Sequence, residues 1–230
     1  MLNWIMRYQP VIKLLDELGA EQVLDVGSGW YGLSWYWPRY VVQTDLHFDG
    51  PGPDTTGRVG TAKLVPATAE DLPFEDGSFD WTVSLDMMEH LPASIRAKAV
   101  SEMARVSRRG FIIGYPVGRT AARADRWLAR AWTITPIQVV PDWLEEHLAQ
   151  EQYPDRETLT TALPDGWHIT REMPSGNALL SMAIVWAEAA PLARRLTQLA
   201  ERAARKRSLP SWLNRGRTHR VIWVVEPSGS

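Results

Sequence analysis

The chain has 230 residues and a mass of 26.0 kDa, enough for one well-buried core and short for two full domains. Its net charge of −2, with 45% hydrophobic and 23% charged residues, is ordinary for a globular protein and gives no global pull toward nucleic acid or a membrane. Cysteine is absent, which excludes disulfides, thiolate metal ligands and a cysteine nucleophile and suits a cytoplasmic location.

Met1–Pro10 lacks the charged start and apolar stretch of a signal peptide. No run reaches the roughly 18 apolar residues of a membrane span. The spacing of Ile5, Tyr8, Val11, Ile12, Leu15 and Leu18 predicts an amphipathic helix over Trp4–Leu18, stopped by Gly19. A short buried strand, Gln22–Val26, follows and runs into glycines. Leu33–Trp37 reads as a brief helix cut by Pro38, and Tyr40–Thr44 as a second strand ending at Asp45. Asp49–Gly60 is a loop by its Gly, Pro and Asp content, and a third strand is expected at Lys63–Ala67. Glu75–Ser78 signals a turn before the strand Phe79–Leu85. A helix from Pro92 to Ser107 and a fifth strand at Phe111–Tyr115 complete an alternation that argues for a parallel sheet with helices on its faces. Beyond it, helical pieces are expected at Arg119–Ala131, Asp142–Gln150, Asp155–Leu163 and Ala178–Lys206, the last broken at Pro191. Strands are expected at Trp167–Met173 and Arg220–Val225.

The segment Val23–Gly32 carries the chemistry. Glycines directly after a buried strand let the backbone turn sharply and approach a ligand closely. Gly27-x-Gly29-x-x-Gly32 alone also satisfies the dinucleotide fingerprint. Asp25, two positions ahead of the first glycine, would repel a pyrophosphate and suits a ligand with a cationic amino group or a sulfonium.

Four ordered segments then resemble the class I S-adenosylmethionine-dependent methyltransferases, especially the small enzymes of the ubiquinone-type group. They are Val23–Gly32, Gln43–Asp45, Ala67–Asp80 and Ser84–Pro92, together spanning about residues 20–116. The resemblance implies a Rossmann-like, seven-stranded, mostly parallel sheet flanked by helices, with a helical cap in the C-terminal half. It implies a single domain over 1–230: an N-terminal helix to residue 19, a cofactor core over 20–116, and variable acceptor-side elements at 117–165 and 175–218. It implies S-adenosylmethionine as cofactor, S-adenosylhomocysteine as product, and in-line methyl transfer to a small molecule or biosynthetic intermediate.

Residue by residue, it places Asp25, Gly27, Ser28, Gly29, Asp45, Leu46, Thr68, Ala69, Glu70, Asp86 and Met87 around the cofactor. Asp45 would accept both ribose hydroxyls. The Thr68 hydroxyl stands where many relatives carry an Asp that accepts the adenine amino group. Tyr31 occupies the usual place of a third glycine, so the loop is expected one residue looser, with Trp30 or Tyr31 leaning over the ligand.

Methyl transfer needs a base only if the acceptor arrives protonated. His90, Tyr115 and His147 are the candidates for base or acceptor contact; each also reads as a structural residue. His47 would edge the cofactor or solvent, while His168 and His219 read as structural. No pair of histidines has metal-ligand spacing, so no metal is expected.

Ala178–Ala190 is apolar except for Ser181 and Glu188, and a basic stretch follows. Between Arg194 and Arg220 stand Arg194, Arg195, Arg202, Arg205, Lys206, Arg207, Arg215, Arg217 and Arg220 against Glu201 alone. Two readings remain: a core-covering helix with a solvated basic continuation, or an amphipathic element, Ala178–Arg207, touching a membrane surface or an anionic or lipid-linked acceptor. No aromatic-basic interleaving points to nucleic acid. The alternatives to an enzyme of this kind are a non-catalytic S-adenosylmethionine-binding protein of the same fold and an NAD(P)-dependent oxidoreductase.

Overall fold

The computed structural model describes residues 2–48, 57–133, 144–145, 148, 153–189, 195–197, 199–201, 216 and 218–229. Seven strands form one sheet: β1 (Val23–Val26), β2 (Tyr40–Asp45), β3 (Thr61–Pro66), β4 (Phe79–Leu85), β5 (Ser107–Pro116), β6 (Trp167–Asn177) and β7 (Thr218–Pro227). Their order is β3-β2-β1-β4-β5-β7-β6. The first five run parallel, and β7 runs antiparallel to both β5 and β6. This is a Rossmann-like fold, seven-stranded and mostly parallel, with helices on both faces.

Alternation along the strands divides the interior in two. Val23, Trp81, Val83, Ile112 and Val224 face α1 (Leu2–Glu17), whose Ile5, Tyr8, Val11 and Leu15 complete that core. Leu24, Val26, Phe111, Ile113, Trp223 and Val225 face the opposite way, against Ala99, Val100 and Met103 of α2 (Ala93–Arg105). Residues buried on both faces explain why the central strands read as short apolar runs.

Three further helices follow: α3 (Gly118–Thr133), α4 (Arg156–Thr161) and α5 (Ala178–Ala189). Asp155 caps α4 by accepting from the Thr158 amide at 2.8 Å. Pro10 sits inside α1, and Gly19 ends the segment in a left-handed turn at φ +61°. The boundaries of β4 match the expectation, whereas β6 and β7 extend further because each pairs along most of its length with the other. Leu33–Trp35 closes as a 3-10 turn instead of a longer helix. The helix expected at Asp142–Gln150 and the loop over 49–56 fall mostly outside the described residues.

Gly110 marks a tight crossing of these layers. A Cβ there would lie 2.5 Å from the Val225 carbonyl oxygen and 2.6 Å from the Trp81 ring. Gly110→Ala is expected to destabilise the protein by about 1–3 kcal/mol through overpacking, read as a lower urea midpoint with an unchanged slope.

Candidate functional site

Strand order reverses on either side of β1 and β4, and in open α/β sheets the crevice at such a point is where ligands bind. A cavity of about 400 Å³ opens there, within the size range of small-molecule sites. Its walls come from the carboxyl ends of four strands and the loops that leave them. Gly27, Ser28 and Gly29 follow β1, and Asp45 and Leu46 end β2. Thr68, Ala69 and Glu70 follow β3, and Asp86 and Met87 follow β4. Ten of the expected cofactor residues are thus brought to one cavity.

The glycine loop has a physical reason at each turn. Gly27 (φ +68°) and Gly29 (φ +56°) adopt left-handed backbone that other residues disfavour. A Cβ on Gly27 would also stand 2.4 Å from the Met87 sulfur. Gly32 has ordinary φ (−76°) but no room: a Cβ would lie 2.1 Å from the Gln43 amide and 2.7 Å from Asp25. Asp45 fixes the loop by accepting from the Gly29 amide at 2.7 Å.

Asp25 is a correction. Its side chain is fully buried and is not on the cavity wall. One carboxylate oxygen accepts from the Leu33 amide at 2.7 Å and from the Tyr8 hydroxyl at 3.4 Å. The other has no partner among the described residues. Burial pushes its pKa up to about 7, against the opposing pull of those two hydrogen bonds. Asp25 thus organises the turn behind the loop. The aromatic expectation is corrected too, since neither Trp30 nor Tyr31 lines the cavity. Tyr31 packs on Trp35 at 5.1 Å and Trp4 at 6.3 Å, and Trp4 is the ring that reaches the cavity.

A second cavity of about 350 Å³ adjoins the first, sharing Trp4, Asp86 and His90. Its walls are α1, the β4 exit, α3, α5 and the start of β7. His90 is exposed and borders both spaces, as a base between cofactor and acceptor would. Tyr115 is corrected: it lies on the face of β5 shared with Phe111 and Ile113, fully buried, edge-on to Trp223 at 5.1 Å. Burial raises its hydroxyl pKa, and it lines neither cavity. His147 lies outside the described residues. His168 Nδ1 lies 3.5 Å from the Ser228 hydroxyl, whereas His219 lines the second cavity.

Sequence reasoning missed the charged floor of this second cavity. Asp86 is the single non-glycine residue with positive φ among those described, at +53°. Its oxygens meet Arg7 at 2.9 Å and Arg220 at 2.7 Å. Burial alone would raise its pKa, but Arg220 and Arg7 hold the carboxyl below its ordinary range. Glu89 is 2% exposed, and burial first and the Asp86 charge next push its pKa well up. His219 has its pKa lowered to about 3 by burial ahead of the Arg220 charge. Its Nδ1 lies 2.8 Å from the Gly176 carbonyl, which can only accept, so Nδ1 carries the hydrogen. No motif flags Arg7. Arg220 was visible only as the last of the nine basic residues in the C-terminal stretch and as the first residue of the final strand.

Comparison with known proteins fits this geometry. The family model described as "Methyltransferase domain" matches residues 24–114. The fold is similar to that of magnesium protoporphyrin IX methyltransferase from Synechocystis PCC 6803 with bound SAH, at TM-score 0.60 and 13% identity, covering 98% of this chain and 84% of that one. It is similar to a putative sarcosine dimethylglycine methyltransferase from Galdieria sulphuraria, at TM-score 0.58 and 14% identity, covering 96% and 86%. Geranyl diphosphate methyltransferase in complex with SAM gives 0.54 and 13%, covering 95% and 85%. Residues 24–114 therefore match a methyltransferase-domain model, and the fold as a whole is that of these methyltransferase structures. Among the described residues no group of three or more His, Cys, Asp or Glu side chains could hold a metal ion, and no helix is long and apolar enough to cross a membrane.

Two outcomes follow from the buried carboxylates. Asp25 is protonated in the folded chain up to about pH 7 but ionises near pH 4 when unfolded. Its contribution is thus full below about pH 4 and is lost as pH rises to about 7, on the order of 4 kcal/mol at most. Asp25→Asn keeps an acceptor for the Leu33 amide, so its stability measured by urea should gain on the wild type across that window. Asp86→Ala leaves two buried guanidinium groups uncompensated and should cost about 3–5 kcal/mol in the same assay.

Proposed function

We propose that the switch-point cavity holds S-adenosylmethionine and the adjoining cavity presents a small-molecule acceptor, so that the methyl group passes across the Trp4–Asp86–His90 border. The observation that carries this reading is the convergence of Gly27, Gly29, Asp45, Thr68 and Met87 on one cavity that shares Trp4, Asp86 and His90 with a second. In this reading Asp45 receives the ribose hydroxyls while still holding the Gly29 amide. Ser28 and the glycine loop take the methionine part, Thr68 to Glu70 lie against adenine, and Leu46 and Met87 supply apolar contact. Asp86, engaged by two arginines, acts from the cofactor's edge. The donor carbon is already activated by the sulfonium. Holding nucleophile and methyl in line is worth up to about 7–11 kcal/mol. His90 takes a proton where the acceptor brings one.

The chain works as one domain in this reading, with residues 117–165 and 175–218 forming the acceptor side, in the cytoplasm. Leu179, Leu196 and Leu199 are 72%, 65% and 60% exposed. Together with the basic residues that follow in sequence, they support contact of Ala178–Arg207 with an anionic membrane surface or a lipid-linked acceptor.

Asp45→Ala is expected to weaken S-adenosylhomocysteine binding by about 10- to 100-fold in calorimetry, about 1.4–2.8 kcal/mol. Unchanged affinity would remove the ribose assignment. Transfer of a labelled methyl group into an acceptor product separates an enzyme from a binding protein of this fold.

A further inference from the structure

Helix α3 carries four arginines, Arg119, Arg123, Arg126 and Arg130, and a single acid, Asp125. On its inner side Ala121, Ala124 and Leu128 line the second cavity. Asp125 stands on that side too, where it accepts from the Tyr153 hydroxyl at 2.7 Å. The outer side differs in kind. Arg123, Arg126, Trp127 and Arg130 are all exposed, and helical spacing places them within about 100° of arc. No acid of the helix shares that arc.

Trp127 is 58% exposed, and among the described residues it is the only exposed tryptophan. An indole is highly buried on average, so one standing in water among cations calls for a reason. Its apolar body and single N–H suit the boundary between water and lipid headgroups. Helix α5 packs beside α3 through Val185, next to Leu128 and Trp132, and Leu179 in its first turn is 72% exposed. Two acids belong to the surroundings. Glu145 is exposed beside Leu144, which packs against Leu128 and Trp132, and Glu188 is in the α5 sequence. The three exposed arginines outnumber those two acids, and Arg195, exposed beyond α5, adds to them.

We propose that this outer face of α3, formed by Arg123, Arg126, Trp127 and Arg130, docks the chain on an anionic phospholipid surface. The guanidinium groups meet lipid phosphates, and the indole sits at headgroup depth. An arginine near such a surface strengthens binding about fivefold, and salt screens that attraction. Single-stranded nucleic acid fits less well, because successive bases stack on several aromatic rings and this face offers one. The face is separate from the basic stretch 194–207, and its docking does not depend on the methyltransferase reading. Because the opposite side of α3 lines the second cavity, docking brings that cavity to roughly 10–12 Å, one helix diameter, from the headgroups.

The test sediments the full chain with vesicles of phosphatidylcholine alone and of phosphatidylcholine mixed with phosphatidylserine. The mixed vesicles are expected to bind at least tenfold more tightly, less so as salt is raised. The triple variant Arg123→Gln, Arg126→Gln, Arg130→Gln should lose at least tenfold of that affinity, and Trp127→Ala at least threefold. S-adenosylhomocysteine affinity should stay within threefold in both, since none of these residues lines either cavity. A second triple variant, Arg202→Gln, Arg205→Gln, Arg207→Gln, separates this face from the C-terminal basic stretch. Equal binding of the two vesicle types, a loss under tenfold in the α3 variant, or a loss confined to the C-terminal variant overturns the proposal. So does tighter binding of a single-stranded oligonucleotide than of the mixed vesicles. A chain that docks on vesicles but ignores S-adenosylhomocysteine would instead overturn the cofactor reading and leave the docking face standing.

Discussion

The buried carboxylate of Asp86 is the constraint on which the site depends. It leaves β4 in a left-handed conformation and sits between Arg7 and Arg220. Such a conformation costs about 1–2 kcal/mol for most residues, and Asp is among the few that adopt it readily. The pairing ties the N-terminal helix to the last strand through the one loop that borders both cavities. Burying three charges is expensive, and a balanced, hydrogen-bonded geometry is what makes it tolerable. The net result is an ion-paired floor that joins α1, the β4 exit and β7.

Around that floor, the two cavities are built by different means. The switch-point cavity is made by backbone: two left-handed glycines, a third glycine with no room for a side chain, and Asp45 clamping the Gly29 amide. Such a surface is largely preformed and offers amide and carboxylate groups at fixed positions. The adjoining cavity is made by side chains on helices α1, α3 and α5. Its shape is therefore set by helix side chains that the glycine loop does not need.

This difference explains what was legible in the sequence. Strand–turn–glycine punctuation is local, so β1, β2, β4 and the residues that leave them could be read directly, and ten of the named cofactor positions meet at one cavity. The contacts of Asp25 were not legible, because whether a strand-end carboxylate turns toward the loop's open side or toward Tyr8 and Leu33 depends on packing from α1. Tyr115 failed for a simpler reason. Counting in twos from Phe111 puts it on the α2 face, and that parity was available in the sequence. Arg7, Glu89 and Arg220 come together from positions 7, 89 and 220, with no shared motif to announce them. The second cavity is assembled from residues far apart in sequence, so its chemistry emerges only in three dimensions.

The central claim is that S-adenosylmethionine chemistry is seated at the carboxyl ends of β1, β2 and β4. Hydrogen exchange of the full chain with and without S-adenosylhomocysteine tests it directly. Added protection concentrated at residues 26–29, 44–46, 67–70 and 86–87 is the predicted result. Protection confined to other segments, or none at saturating ligand, would contradict it.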